Sequence, residues 1–137
     1  MNKELEDLEK QFILDGDMEN EDLKTLIEKL LFFCKIDKNG YVIVDNGSTK
    51  KLTTPNGILL VLSARYLASK LQQKLGKESS IKEEVETQEI AQMLKEKPAI
   101  VTARLKDLKD QKLVVPVERG TFKIASYAIA DLLNKLR

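Results

Sequence analysis

The chain has 137 residues, enough for one compact domain or two very small ones, and folding at this length hides roughly two-thirds of the unfolded surface. It is 42% hydrophobic and 33% charged, with a net charge of +1, one cysteine and no histidine. That composition fits a helix-rich folded protein and removes Ser-His-Asp and Cys-His catalysis, Cys/His zinc sites and an intramolecular disulfide. No basic-then-apolar signal segment opens the chain. The expectation is a cytoplasmic binder with no membrane partner and no catalytic, metal or cofactor site.

Leu5, Leu8 and Phe12 recur at helical spacing, so the pattern predicts a short helix over 3–14 that ends at Asp15-Gly16. After a polar DGDMENED loop, Leu23, Leu26, Ile27, Leu30 and Leu31 form a second stripe over 20–33, with Glu19, Glu21 and Asp22 at its electronegative start. The two helices read as an antiparallel pair. From Phe33 the pattern changes to strands near 34–38 and 41–45 around Asn39-Gly40, a strong hairpin signal. Asn46-Gly47 starts another turn, and KKLT would return as a short third strand. The aspartates of DGD and DKNG lack the ligand spacing of a calcium loop and read as turn chemistry.

Thr54-Pro55 starts a long helix, with the threonine as N-cap and proline at the first helical position, running to about Leu75 with Gly76 as its stop. ILLVL is apolar on nearly every side, whereas Ala64, Leu67, Leu71 and Leu75 keep one stripe. A helix of that kind is the expected spine between an N-terminal and a C-terminal unit. KESSIKEEVE has no period and reads as a linker. Thr87 then caps a helix with Ile90, Ala91 and Leu94 inward, and Pro98 opens another with Val101, Leu105 and Leu108 inward. LVVPVERGTFKIA reads as a hairpin with Gly120 at its tip and Leu113, Val115, Val117, Phe122 and Ile124 as its alternating apolar face. A last helix is amphipathic through Ile129, Leu132, Leu133 and Leu136.

The fold class is therefore mainly α with small β-hairpins (α+β), divided into an N-terminal helix pair plus hairpin extension over 1–53 and a second unit over 54–137. The segment VETQEIAQMLKEKPAIVTARLKDLKDQKLVVPVERGTFKIA resembles the winged helix-turn-helix superfamily, in particular MarR-, Lrp- and TrmB-type regulators of bacteria and archaea. The residues that carry the likeness are Thr87, Ile90, Ala91 and Leu94, then Val101, Thr102, Leu105 and Leu108, then Leu113 and Val114. It covers about 40 residues closely and, with the helix over 55–75, about 70; residues 1–53 resemble no family. The sequence departs from the family at Lys112, where a glycine is usual. A lysine in a left-handed cap costs about 1 kcal/mol relative to glycine, which implies a turn built differently.

The resemblance implies a DNA-binding regulator, with the 98–110 helix as recognition helix in the major groove and 113–125 as wing. Its outward positions are Ala99, Ile100, Thr102 and Ala103, of which Thr102 can bond a base and both Thr102 and Ile100 can touch a thymine methyl. Lys97, Lys106, Lys109 and Lys123 are the expected phosphate contacts, Arg104 reaches phosphates or bases, Arg119 sits at the wing tip, and Thr87 begins the preceding helix. Double-stranded DNA and a second copy of the chain are the implied partners, with a protein partner for the N-terminal region. The high Lys/Glu content without histidine suits a thermophile.

Charge layout and chemistry leave alternatives open. Residues 1–30 hold four basic and ten acidic side chains, 31–77 eight and two, and 78–137 eleven and ten. No acid lies between Asp45 and Glu78, while Lys50, Lys51, Arg65, Lys70, Lys74 and Lys77 do. That stretch reads either as a phosphate-binding patch or as the surface onto which the acidic head folds. The Ala-Ile-Val-Thr-Ala opening of the 98–110 helix, with Asp107, Asp110 and Glu118 nearby, supports a winged-helix protein-interaction module as the alternative function. For an enzyme there is little: Glu83, Glu84, Glu86 and Glu89 fall in apparent linker and helix start, no Gly-rich phosphate loop is present, and Cys34 reads as a buried, inert thiol.

Overall fold

The computed structural model describes residues 3–6, 8, 20–45, 52–77 and 81–136. In chain order these form α1 (Asn20–Leu30), β1 (Cys34–Ile36), β2 (Val42–Val44), α2 (Thr54–Lys74), β3 (Val85–Glu86), α3 (Thr87–Leu94), α4 (Pro98–Asp110), β4 (Val114–Glu118), β5 (Thr121–Ile124) and α5 (Ala128–Lys135). The result is a mixed α+β architecture with two small antiparallel sheets. Residues 3–6 and 8 are helical. The remainder of the helix expected over 3–14, its antiparallel pairing, the 46–47 turn and the Lys50-Lys51 half of KKLT lie outside the described residues, while Leu52 and Thr53 are in no strand and the first sheet has two strands among the described residues. No helix among the described residues is long and apolar enough to cross a membrane.

α2 is the spine that its hydropathy pattern predicts. Every residue from Gly57 to Leu67 is buried, and beyond that point Leu71 and Leu75 are exposed. Its first half needs a wall on each side, and it has them: α1, β1 and β2 on one, α3, α4, β5 and α5 on the others. One hydrophobic cluster consequently runs from Leu23, Phe33 and Val42 through Ile58, Leu60 and Leu62 to Ile90, Leu105 and Leu133. The N-cap is Thr53, not Thr54: Thr53 is extended and its hydroxyl accepts the Asn56 N–H at 3.3 Å, so Thr54 is already helical. The Thr54 hydroxyl instead donates to the Glu96 carboxylate at 3.4 Å. The other end closes as expected, with Gly76 at φ +72, the Gly76 N–H bonded to the Gln73 carbonyl and the Lys77 N–H to that of Gln72, a Schellman motif.

The first hairpin is where Asn39-Gly40 places it, in the register Cys34↔Val44, Lys35↔Ile43, Ile36↔Val42. Its strands are shorter than the expected 34–38 and 41–45. The Asp37 side chain accepts the N–H groups of Asn39 and Tyr41 at 2.8 and 3.0 Å, which takes 37–40 into the turn. α1 stops at Leu30, not 33, because residues 31–33 turn to insert Phe33 into the core, leaving Leu31 exposed.

The segment expected as a linker is partly structural. Ile81 and Val85 are buried, and β3 pairs with β5 in the register Val85↔Phe122, Glu86↔Thr121. β5 is thus the centre of a three-stranded sheet ordered β3-β5-β4. In β4 the apolar parity is opposite to the expected one. Val114 pairs with Ile124 and Pro116 with Phe122, so Val114 is the buried position and Val115 and Val117 are exposed. A register shift between Pro116 and Glu118 leaves Val117 as a bulge, and this breaks the period-two count made from the sequence.

Candidate functional site

The candidate site is built on α4 and the β4–β5 hairpin. Pro98 starts α4 with Lys97 as N-cap, and Val101, Leu105 and Leu108 are buried as their spacing requires. At about 100° per residue, Ala99, Ala103, Lys106 and Asp110 then point directly away from the core. Ala99, Thr102, Ala103 and Lys106 are all exposed, and Ile100 is 41% exposed. Arg104 and Lys109 fall on opposite flanks of this face. Arg104 lies 3.5 Å from the Asp107 carboxylate one turn on, an exposed pair of little energetic weight. Lys97 is exposed at the turn, and its backbone N–H donates to the Glu96 carboxylate at 3.1 Å.

α4 ends two residues before the position where the resemblance departs. Lys112 is left-handed, at φ +64, with its N–H on the Lys109 carbonyl and the Leu113 N–H on that of Leu108. The expectation of a differently built turn is therefore corrected: the Schellman geometry is kept with a lysine in the glycine position. Tyr127 donates its hydroxyl to the Lys112 carbonyl, which ties this turn to the segment after β5.

The hairpin tip carries an exposed Arg119, followed by Gly120 at φ +80 with open space around it. The tip is anchored, and Thr87 is the anchor. Its backbone N–H and its hydroxyl both donate to the Gly120 carbonyl, at 2.9 and 3.0 Å. Thr87 is thus the first residue of α3 and not its N-cap, a position that Glu86 occupies without a side-chain capping bond. A hydroxyl engaged in this way orients the hairpin.

Lys109 and Lys123 share one concavity, whereas Lys106 occupies the outward face, Thr102 the flank on which Lys109 lies and Arg119 the tip. A cavity of about 520 Å³ is lined by Tyr66 and Lys70 of α2, Lys109 and Lys112 at the end of α4, Val115 and Lys123 of the sheet, and Tyr127. Lys123 lies 3.9 Å from the Glu83 carboxylate on the cavity rim. Of these, Lys70 is visible in the sequence only as part of a basic stretch and Tyr127 carries no local signal. α2 and α4 are far apart in sequence, and their meeting is a tertiary event. Arg65 leaves that stretch altogether, because it is buried and bonded to backbone carbonyls. No protein-family model, no curated protein and no solved structure matches this chain.

Proposed function

We propose that the chain is a DNA-binding protein of winged-helix type, a transcription regulator that sets α4 in the major groove and uses the β4–β5 hairpin as wing. The observation that carries the reading is the outward face of α4. It combines small side chains at Ala99 and Ala103, which let the helix approach base edges, with Lys106 on the same face and the exposed Thr102 on its flank. Arg119 at an anchored tip, with Lys97, Lys109 and Lys123, supplies cations for phosphates on either side of such a helix. With no Asn, Gln or Arg at the centre of the face, discrimination rests on thymine-methyl contact and on duplex shape more than on bidentate hydrogen bonds.

A second reading is favoured by a specific observation: Ile100 is exposed, and Asp107 and Asp110 share the outward side of α4 with Lys106. An apolar, mixed-charge helix face suits a protein partner. Titration of mixed-sequence duplex DNA against salt separates the two readings. DNA binding gives log K that falls linearly with log salt, and Arg119→Ala and Lys106→Ala each flatten that slope by about one unit. Absence of binding at low salt overturns the DNA reading and leaves the protein-interaction module.

A further inference from the structure

We infer that the cavity between α2, the end of α4 and the β4–β5 sheet is a binding site for a small ligand that joins a polyphosphate chain to a flat ring, the chemistry of a nucleoside polyphosphate. Its charged side is assembled from three separate elements. Lys70 stands one turn beyond Tyr66 on α2, Lys109 and Lys112 come from the last turn and cap of α4, and Lys123 comes from β5, where it pairs across the sheet with Val115. Four lysines thus line one concavity with a single acidic residue, Glu83, and the Lys70 ammonium stands 5.5 Å from the centre of the Tyr66 ring. That pairing, at 3.9 Å from Lys123 with both partners partly exposed, is weak enough for a phosphate to displace.

Size and lining select the class of ligand. At about 520 Å³ the cavity falls within the range of small-molecule sites, about 300–1,000 Å³, and has more room than a lone phosphate needs. Val115, which pairs across the sheet with Lys123, and the half-exposed Tyr127 ring supply an apolar side among the same lining residues. A ring can lie against that side while the phosphates reach the ammonium groups. The Lys112 turn holds the arrangement: its left-handed backbone is fixed by two α4 carbonyls, and its own carbonyl is held by the Tyr127 hydroxyl. The site stands without DNA binding, because Tyr66, Lys70, Lys112 and Tyr127 have no part in the proposed duplex contacts.

Calorimetric titration of the full chain with magnesium-free ATP, with inorganic triphosphate and with adenosine tests the assignment in the absence of DNA. The expected result is one equivalent of ATP bound, about tenfold more tightly than triphosphate, with adenosine weaker than either. Lys70→Gln and Lys112→Gln should each weaken ATP by about tenfold while leaving the unfolding midpoint in place. No saturable ATP binding, or ATP affinity unchanged in both variants, overturns the site. Equal affinity for ATP and triphosphate overturns the nucleotide class. Failure of the DNA reading shows itself separately, in the duplex titration. A duplex that binds the wild type and both of these variants alike, while ATP discriminates among them, assigns the cavity to the free ligand and not to backbone phosphates.

Discussion

Arg65 shows how far a residue's role can depart from its composition class. In the sequence it is one of six cations in an acid-free stretch, but in the fold it is 7% exposed. Its Nε donates to the Lys82 carbonyl at 2.7 Å, Nη1 to that of Gly40 at 3.1 Å and Nη2 to that of Glu84 at 3.3 Å, with the Glu89 carboxylate 3.7 Å away. One guanidinium therefore joins the first hairpin, the segment before β3 and the start of α3 to the spine. Its planar fork satisfies three carbonyls at once, which an ammonium on a flexible stem cannot do. Gly40 completes the fit, since its φ is +90 and an added Cβ would meet the guanidinium at 3.2 Å. Arg65→Met should lower stability by about 3 kcal/mol, read as a reduced urea midpoint, because it leaves the buried Gly40 carbonyl and two partly buried ones without their donor. Arg65→Lys should restore only part of that loss.

At the scale of elements, the short helices are made by their ends. α3 and α4 both close on a left-handed lysine, Lys95 at φ +56 and Lys112 at φ +64, where glycine would be unstrained. Lys95→Gly should therefore stabilise the protein by about 1 kcal/mol in urea unfolding, since Lys95 is exposed and its backbone bonds to Gln92 and Ala91 are kept. α3 also docks closely on α2. A Cβ at Gly57 would stand 3.0 Å from a Leu94 methyl group, so a larger residue there requires Leu94 to shift. The sheet shows the limit of local pattern. Periodicity finds both strands of the second hairpin but assigns the wrong face to β4, because the bulge at Val117 and the pairing with β5 decide parity. β3 has no period to find, being two residues long and defined only by its partner.

For the whole molecule, the buried half of α2 joins N-terminal and C-terminal elements into one hydrophobic cluster, and Cys34 reports on it. Desolvation in that core pushes the thiol up from 9.0 to about 12. The unfolded chain can ionise Cys34 once pH exceeds 9.0, while the folded chain keeps the thiol neutral until about 12. This group's contribution is complete below 9.0 and is lost across that window as pH rises. Wild-type stability should fall more steeply than that of Cys34→Ala in this range, by about 1 kcal/mol over the first pH unit above 9.0, in paired urea titrations. The same burial should leave Cys34 unreactive to alkylating reagents until the protein unfolds globally.

Helix positions, the spine character of α2, both hairpins and the inward residues of α4 follow from periodicity, Thr, Pro and Gly at element ends, and Asn-Gly turn chemistry. These signals act over a few residues, so the sequence by itself determined them. Each cap lies one residue earlier than expected: Thr53, whose hydroxyl accepts the Asn56 N–H, in place of Thr54, and Glu86 in place of Thr87, whose hydroxyl donates to the Gly120 carbonyl. The internal role of Arg65, the strand at Val85–Glu86, the parity of β4 and the meeting of Lys70, Lys109, Lys112 and Lys123 around one cavity were decided only by the tertiary structure. Each depends on groups far apart in the chain, brought together because α2 must be covered on every side of its apolar half. No local spacing encodes which partners do the covering.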